Sequence, residues 1–240
     1  MTTTTPNPNA WFSRLKRMDV GKLKSLNTDT LRKPWEGKWS AKLQGEAVNL
    51  DASIRAITPI IRTIDATSIA NMAGSIGQLP KADESLHLWI GGKSSMGHIL
   101  AAILKLSAPA TVEALHTATL SFSKDNVNEW CGYIDDGIVK AVTVICSQYF
   151  EKTSPDIFQY AQSILLPRGG KIFSIRSHCK IIAAKLSDGQ TITATGSANT
   201  RSAKTLEQVE LFGHPDVYAF HVSQMKRAEA MSANQMELPE

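Results

Sequence analysis

Residues 176–212 of this 240-residue chain, RSHCKIIAAKLSDGQTITATGSANTRSAKTLEQVELF, carry the spacing most suggestive of chemistry. His178 and Lys180 are two apart, so on an extended strand both project from one face while Cys179 projects from the other. That places a nucleophile or base beside a fixed cation. Further on, Gly196-Ser197-Ala198-Asn199 is a stretch whose small residues let backbone amides approach an anion, and Ser197 and Asn199 add side-chain donors. Between them Asp188-Gly189 is a hairpin signal, and a hairpin there returns the second stretch toward His178. Imidazole, ammonium, hydroxyl and amide together can hold a phosphate and attack its phosphorus. Glu207, eight residues past Asn199, could accept the imidazole proton and fix its tautomer. Singly, each has a duller reading: a satisfied structural histidine, a solvated lysine, a turn. Their joint order and spacing favour the chemical one.

Other chemistries fit less well. Gly92-Lys93-Ser94 resembles the end of a phosphate-binding loop, but His87 stands where that loop needs its first glycine. The six histidines, His87, His98, His116, His178, His214 and His221, show no i, i+4 pair, so no metal and no other cofactor is expected. Three cysteines without a CxxC pair argue against a disulfide framework or a structural zinc, and for a reducing compartment. With 42% hydrophobic and 20% charged residues, no membrane-spanning apolar run and no secretory apolar run, a cytoplasmic protein without stable membrane insertion is expected.

The elements that must position these residues follow from periodicity. Leu86 to Ile90 reads as a strand, and Ser94-Ser95 caps a helix carrying Met96, Ile99, Leu100, Ile103 and Leu104 on one face. Leu115 to Phe122 and Lys140 to Cys146 read as strands, with helices at Asn126 to Asp135 and Pro155 to Leu165. Beyond Gly170, Lys171 to Arg176, Lys180 to Leu186, Gln190 to Thr195 and Val209 to Phe212 read as strands, before a helix from Pro215 to about Met231. This order predicts an α/β fold, an α-β-α sandwich with a mixed, largely parallel sheet. Residues 50–64 are ambiguous, because the near-helical spacing of their isoleucines is interrupted by Pro59. Lys81 to Ser85 reads as linker.

The stretch H-x-K, hairpin, G-S-x-N, downstream glutamate resembles the active-site motif of the phospholipase D superfamily, and the flanking β-α-β-α-β order resembles half of that family's fold. The resemblance implies that His178 is the nucleophile forming a phosphohistidine, that Lys180 and Asn199 bind nonbridging phosphate oxygens, that Ser197 supports the same cradle, and that Glu207 orients His178. Glu210 is the less favoured candidate for orienting it. One departure stands out: Lys185 occupies the position where the family usually has an aspartate. Only one H-x-K is present, since His87, His98 and His116 are followed two residues later by Trp89, Leu100 and Ala118. Two histidines are needed, one to attack and one to protonate the leaving oxygen. The resemblance to single-motif nucleases therefore implies a homodimer with one shared site.

Charge points to the substrate. Residues 1–45 hold nine Lys or Arg against three Asp or Glu, a balance of +6, whereas the remainder holds seventeen against nineteen, or −2. This arm also carries Trp11, Trp35 and Trp39, and basic residues beside aromatic faces suit nucleic acid. The expected nucleic-acid contacts are Arg14, Lys16, Arg17 and Lys33 in the arm and Arg176, Lys185, Arg201 and Lys204 around the motif, with DNA preferred to RNA. The expected organisation is a partly disordered basic arm (1–45), a helical or linker segment (46–85), a phospholipase D-like catalytic domain (86–231) and a polar tail (232–240). The reading is thus a metal-independent phosphodiesterase, a nuclease. A noncatalytic nucleic-acid-binding module and a lipid phosphodiesterase are the alternatives.

Overall fold

The computed structural model describes residues 58–61, 72–91, 94–201 and 205–235. The basic arm and its expected contacts Arg14, Lys16, Arg17 and Lys33 lie outside the described residues, as does Lys204.

Eight strands form one sheet: β1 (Thr58–Ile61), β2 (Glu84–Ile90), β3 (Val112–Ala118), β4 (Val142–Ser147), β5 (Lys171–Ile175), β6 (Ile181–Leu186), β7 (Thr191–Gly196) and β8 (Glu207–Phe212). Their spatial order is β1-β2-β8-β7-β6-β3-β4-β5. Six strands run one way, and only β6 and β8 are reversed. Because each reversed strand sits between two forward ones, four of the seven pairings are nonetheless antiparallel. The sheet is mixed, and its longest parallel block is β3-β4-β5, with β1-β2 a further parallel pair.

The helices are α1 (Met72–Ile76), α2 (Met96–Ser107), α3 (Lys124–Asp135), α4 (Gln148–Thr153), α5 (Pro155–Leu165) and α6 (Pro215–Gln235). Their starts are chemically marked. Ser95 caps α2 by accepting from the His98 N–H. Ser123 and Asn126 satisfy each other's backbone N–H in a capping box at α3, and Pro155 occupies the first turn of α5, where a missing N–H costs nothing. Met72, Ile99, Ile103, Trp130, Phe150, Phe158 and Leu165 from α1 to α5 pack on Leu88, Leu115, Val144, Ala184 and Val209 of one sheet face. On the other face Met225 of α6 meets Ala118 and Ile145, with Phe173, Ile175 and Ile181 against them. Helices on both faces of a mixed sheet make the α-β-α sandwich.

Several elements depart from the periodicity reading. The ambiguous segment around Pro59 contains β1, which among the described residues is an edge strand pairing with β2 alone, and an edge tolerates a proline that cannot donate to a ladder. Glu84 and Ser85, read as linker, open β2, while α6 runs on to Gln235 into what was read as tail. The short α1 and α4 went unread because one or two turns carry too little periodicity to stand out. The Asp188-Gly189 turn is as expected: Gly189 sits at φ +91°, and the Leu186 N–H donates to the Gln190 carbonyl at 2.8 Å.

Candidate active site

The strand directions bring the motif together. Forward strands end, and reversed strands begin, at one edge of the sheet. Arg176 follows the end of β5, His178 and Lys180 lead into β6, Gly196 to Asn199 leave β7, and Glu207 begins β8. Ligand crevices of open α/β sheets lie at the carboxyl ends of parallel strands, and this is that edge for β3, β4 and β5.

His178 and Lys180 stand just before β6 rather than on it, yet Lys180 already joins the ladder, because its carbonyl accepts from the Gly196 N–H at 3.3 Å. His178 and Cys179 are exposed, and Lys180 is 8% exposed. The Lys180 ammonium donates to His178 Nδ1 at 2.9 Å and to the His178 carbonyl at 3.0 Å. An ammonium can only donate, so Nδ1 is the acceptor and a neutral ring in this arrangement carries its proton on Nε2. Among the described residues no carboxylate comes within ion-pair distance of Lys180. Burial holds its pKa below the usual lysine value, against the opposing pull of the Glu207 and Cys179 charges. Among the described residues, therefore, the site contains a desolvated cation without a carboxylate in ion-pair contact.

The Gly-Ser-Ala-Asn stretch works differently from the expectation that its amides face an anion. The Gly196 N–H is spent on Lys180, and the Ser197 N–H donates to the Gln208 carbonyl at 3.0 Å. Gly196 is required by packing instead: a Cβ there would lie 2.1 Å from the Gln208 carbonyl oxygen. Ser197 Oγ accepts from the Gln208 N–H at 3.0 Å and donates to Glu207 Oε2. Glu207 also accepts from Thr205 Oγ1 at 2.7 Å, and neither of its oxygens bonds His178. Glu207 thus reaches the site through Ser197 and through its charge on Lys180. Glu210 is taken by His87 Nδ1 at 3.2 Å and by Gln208 at 3.0 Å.

Asn199 is placed by a contact that the motif does not contain. Its carbonyl accepts from the Met96 N–H at 2.9 Å and the Thr200 carbonyl from the Gly97 N–H at 3.3 Å, so the first turn of α2 holds the loop. Thr119 Oγ1 accepts from the Thr200 N–H at 3.1 Å on the other side. Asn199 Oδ1 is buried with no hydrogen-bond partner, so the backbone and not the amide fixes this side chain. Gly97 permits the approach: a Cβ there would lie 2.9 Å from the Thr200 oxygen. A glycine in the first turn of an apolar helix was the available signal for this wall, whereas nothing local marks Thr119.

Of the expected cations, Arg176 and Arg201 are exposed beside His178 and Asn199 in the chain. Lys185 is not brought there. It is exposed on β6, five residues and about 16 Å along the strand from Lys180. The position usually held by aspartate is therefore remote from the reacting groups. No three His, Cys, Asp or Glu among the described residues cluster as metal ligands, and no described helix is long and apolar enough to cross a membrane.

No family model matches the chain, and no curated protein matches it. The fold is similar to the crystal structure of a phospholipase D family member, Nuc from Salmonella typhimurium, with 16% identity and a TM-score of 0.44 over 60% of this chain and 93% of that one.

Proposed function

We propose that this chain is a metal-independent phosphodiesterase of the phospholipase D type, a nuclease with a site completed by a second copy of the chain. The observation that carries the reading is the buried Lys180 ammonium, without a carboxylate partner, on an exposed imidazole. A phosphate supplies the missing negative charge, and its oxygens compete for the hydrogen bonds Lys180 now gives to His178. Asn199, held by the start of α2, offers its amide to the same phosphate.

In the first step a ring nitrogen of His178 forms a bond to phosphorus as the bond to the leaving oxygen breaks. That oxygen takes a proton from His178 of the second copy. In the second step this second histidine takes a proton from water, the water oxygen bonds phosphorus, and the phosphorus–nitrogen bond breaks to restore His178.

Cleavage of labelled single- and double-stranded DNA in excess EDTA tests this directly. Wild type is expected to cut and a folded His178→Ala variant is expected not to. Salt-sensitive binding by a wild type that never cuts would instead support the binding-module reading. Hydrolysis of phosphatidylcholine vesicles without cleavage of nucleic acid would support the lipid one.

A further inference from the structure

Beside His178 lies an open pocket of about 360 Å³ that the phosphate chemistry leaves unused. Its walls come from the carboxyl ends of the three parallel strands: Leu120 after β3, Ser147 to Tyr149 at the end of β4, and Arg176 to His178 after β5. The frame is built. Ser147 Oγ donates to the Leu120 carbonyl at 2.9 Å and accepts from the Phe150 N–H at 3.0 Å, joining the loop after β3 to the first turn of α4. Against this frame Tyr149 is 70% exposed as a residue, and among the described residues its ring makes no ring contact and its hydroxyl no hydrogen bond. An exposed aromatic face, a largely apolar floor and a cation at the rim form a complementary set.

We infer that this pocket is a nucleobase subsite, with the base next to the scissile phosphate stacking on Tyr149 while Arg176 holds the neighbouring phosphate. The inference rests on the reading of nucleic acid as the substrate of this site and adds strandedness to it. The volume falls in the range of about 300–1,000 Å³ typical of small-molecule sites, ample for one base. Only an unstacked base can enter, and extracting one from a duplex costs a few kcal/mol, so the pocket selects single strands. Stacking on an aromatic side chain tolerates any base, so no sequence specificity follows.

The test separates binding from cleavage. In a His178→Ala background, fluorescence anisotropy compares a labelled oligothymidylate with an abasic strand of equal length. Stacking contributes about 1–3 kcal/mol per base, so the base-bearing strand is expected to bind about tenfold tighter. Tyr149→Ala is expected to bring the two affinities within about twofold, Tyr149→Phe to keep the preference, and Arg176→Gln to weaken both strands alike. Equal affinities at the outset, a preference that survives Tyr149→Ala, or no binding of either strand would each overturn the inference. Base preference intact with no cleavage by wild type would remove the nuclease reading and leave the subsite standing.

Discussion

Lys180 combines two properties that oppose each other, a charge that the proposed phosphate chemistry needs and a position that desolvates it. Its pKa is lowered, first by burial, so the cation is lost at a lower pH than that of an exposed lysine. In the proposed mechanism loss of this cation ends phosphate binding, so the alkaline fall of kcat/KM is expected at a lower pH than an exposed lysine would set. Glu207 raises the same pKa, and Glu207→Gln is expected to move this limb to still lower pH. An unmoved limb would show that another group sets it. Lys180→Met is expected to lower cleavage about a hundredfold or more without lowering the melting temperature, since it removes a buried charge at nearly constant volume. The three thiols sort by the same burial argument. Cys146 is fully buried with its pKa pushed up to about 12, Cys131 is buried with its pKa raised, and Cys179 is exposed between His178 and Lys180. Iodoacetamide treatment of the folded protein followed by peptide mass mapping is expected to find Cys179 modified and the other two intact.

Two glycines show how elements, rather than motif letters, hold the site. A Cβ at Gly196 would meet the Gln208 oxygen at 2.1 Å and Val209 Cα at 3.0 Å, both backbone, so Gly196→Ala has to open β7 from β8. A loss of about 3 kcal/mol or more in denaturant unfolding is expected. At Gly97 the nearest atoms are the Thr200 backbone oxygen at 2.9 Å and Asn126 Nδ2 at 3.1 Å, a milder overlap than at Gly196. Alanine gains about 1 kcal/mol of helix propensity over glycine, which offsets part of this overlap, so Gly97→Ala is expected to cost less stability than Gly196→Ala. Its effect belongs to Asn199, whose carbonyl is held by the adjacent Met96 amide, and cleavage is expected to fall about tenfold. Equal loss of stability in both variants would contradict the distinction between ladder and loop.

At the scale of the whole molecule the single H-x-K sets the expectation. One chain supplies one such histidine, and the proposed two-step displacement needs two, so the proposal requires a pair of chains. Refolding wild type with increasing His178→Ala is expected to lower cleavage as the square of the wild-type fraction, because a hybrid has only one of the two histidines. A linear fall would show that each chain works alone.

What was legible in the sequence was local. Alternation and capping residues marked β2, α2, α3, α5 and the strands after Gly170, and the H-x-K and G-S-x-N spacing named His178, Lys180, Ser197 and Asn199, because period and turn chemistry act over a few residues. Tertiary structure decided everything that depends on which strand neighbours which. Only the reversed placement of β6 and β8 brings their first residues to the edge where the forward strands end. Only packing of the loop after β7 on α2 explains Gly97 and the holding of Asn199, and only the bonds of Glu207 to Ser197 and Thr205 separate it from His178. Lys185, a troubling departure in one dimension, lies far along its strand in three. Local preference is written in neighbouring residues, whereas burial of Lys180 and assembly of the open pocket beside Tyr149 come from segments distant in the chain.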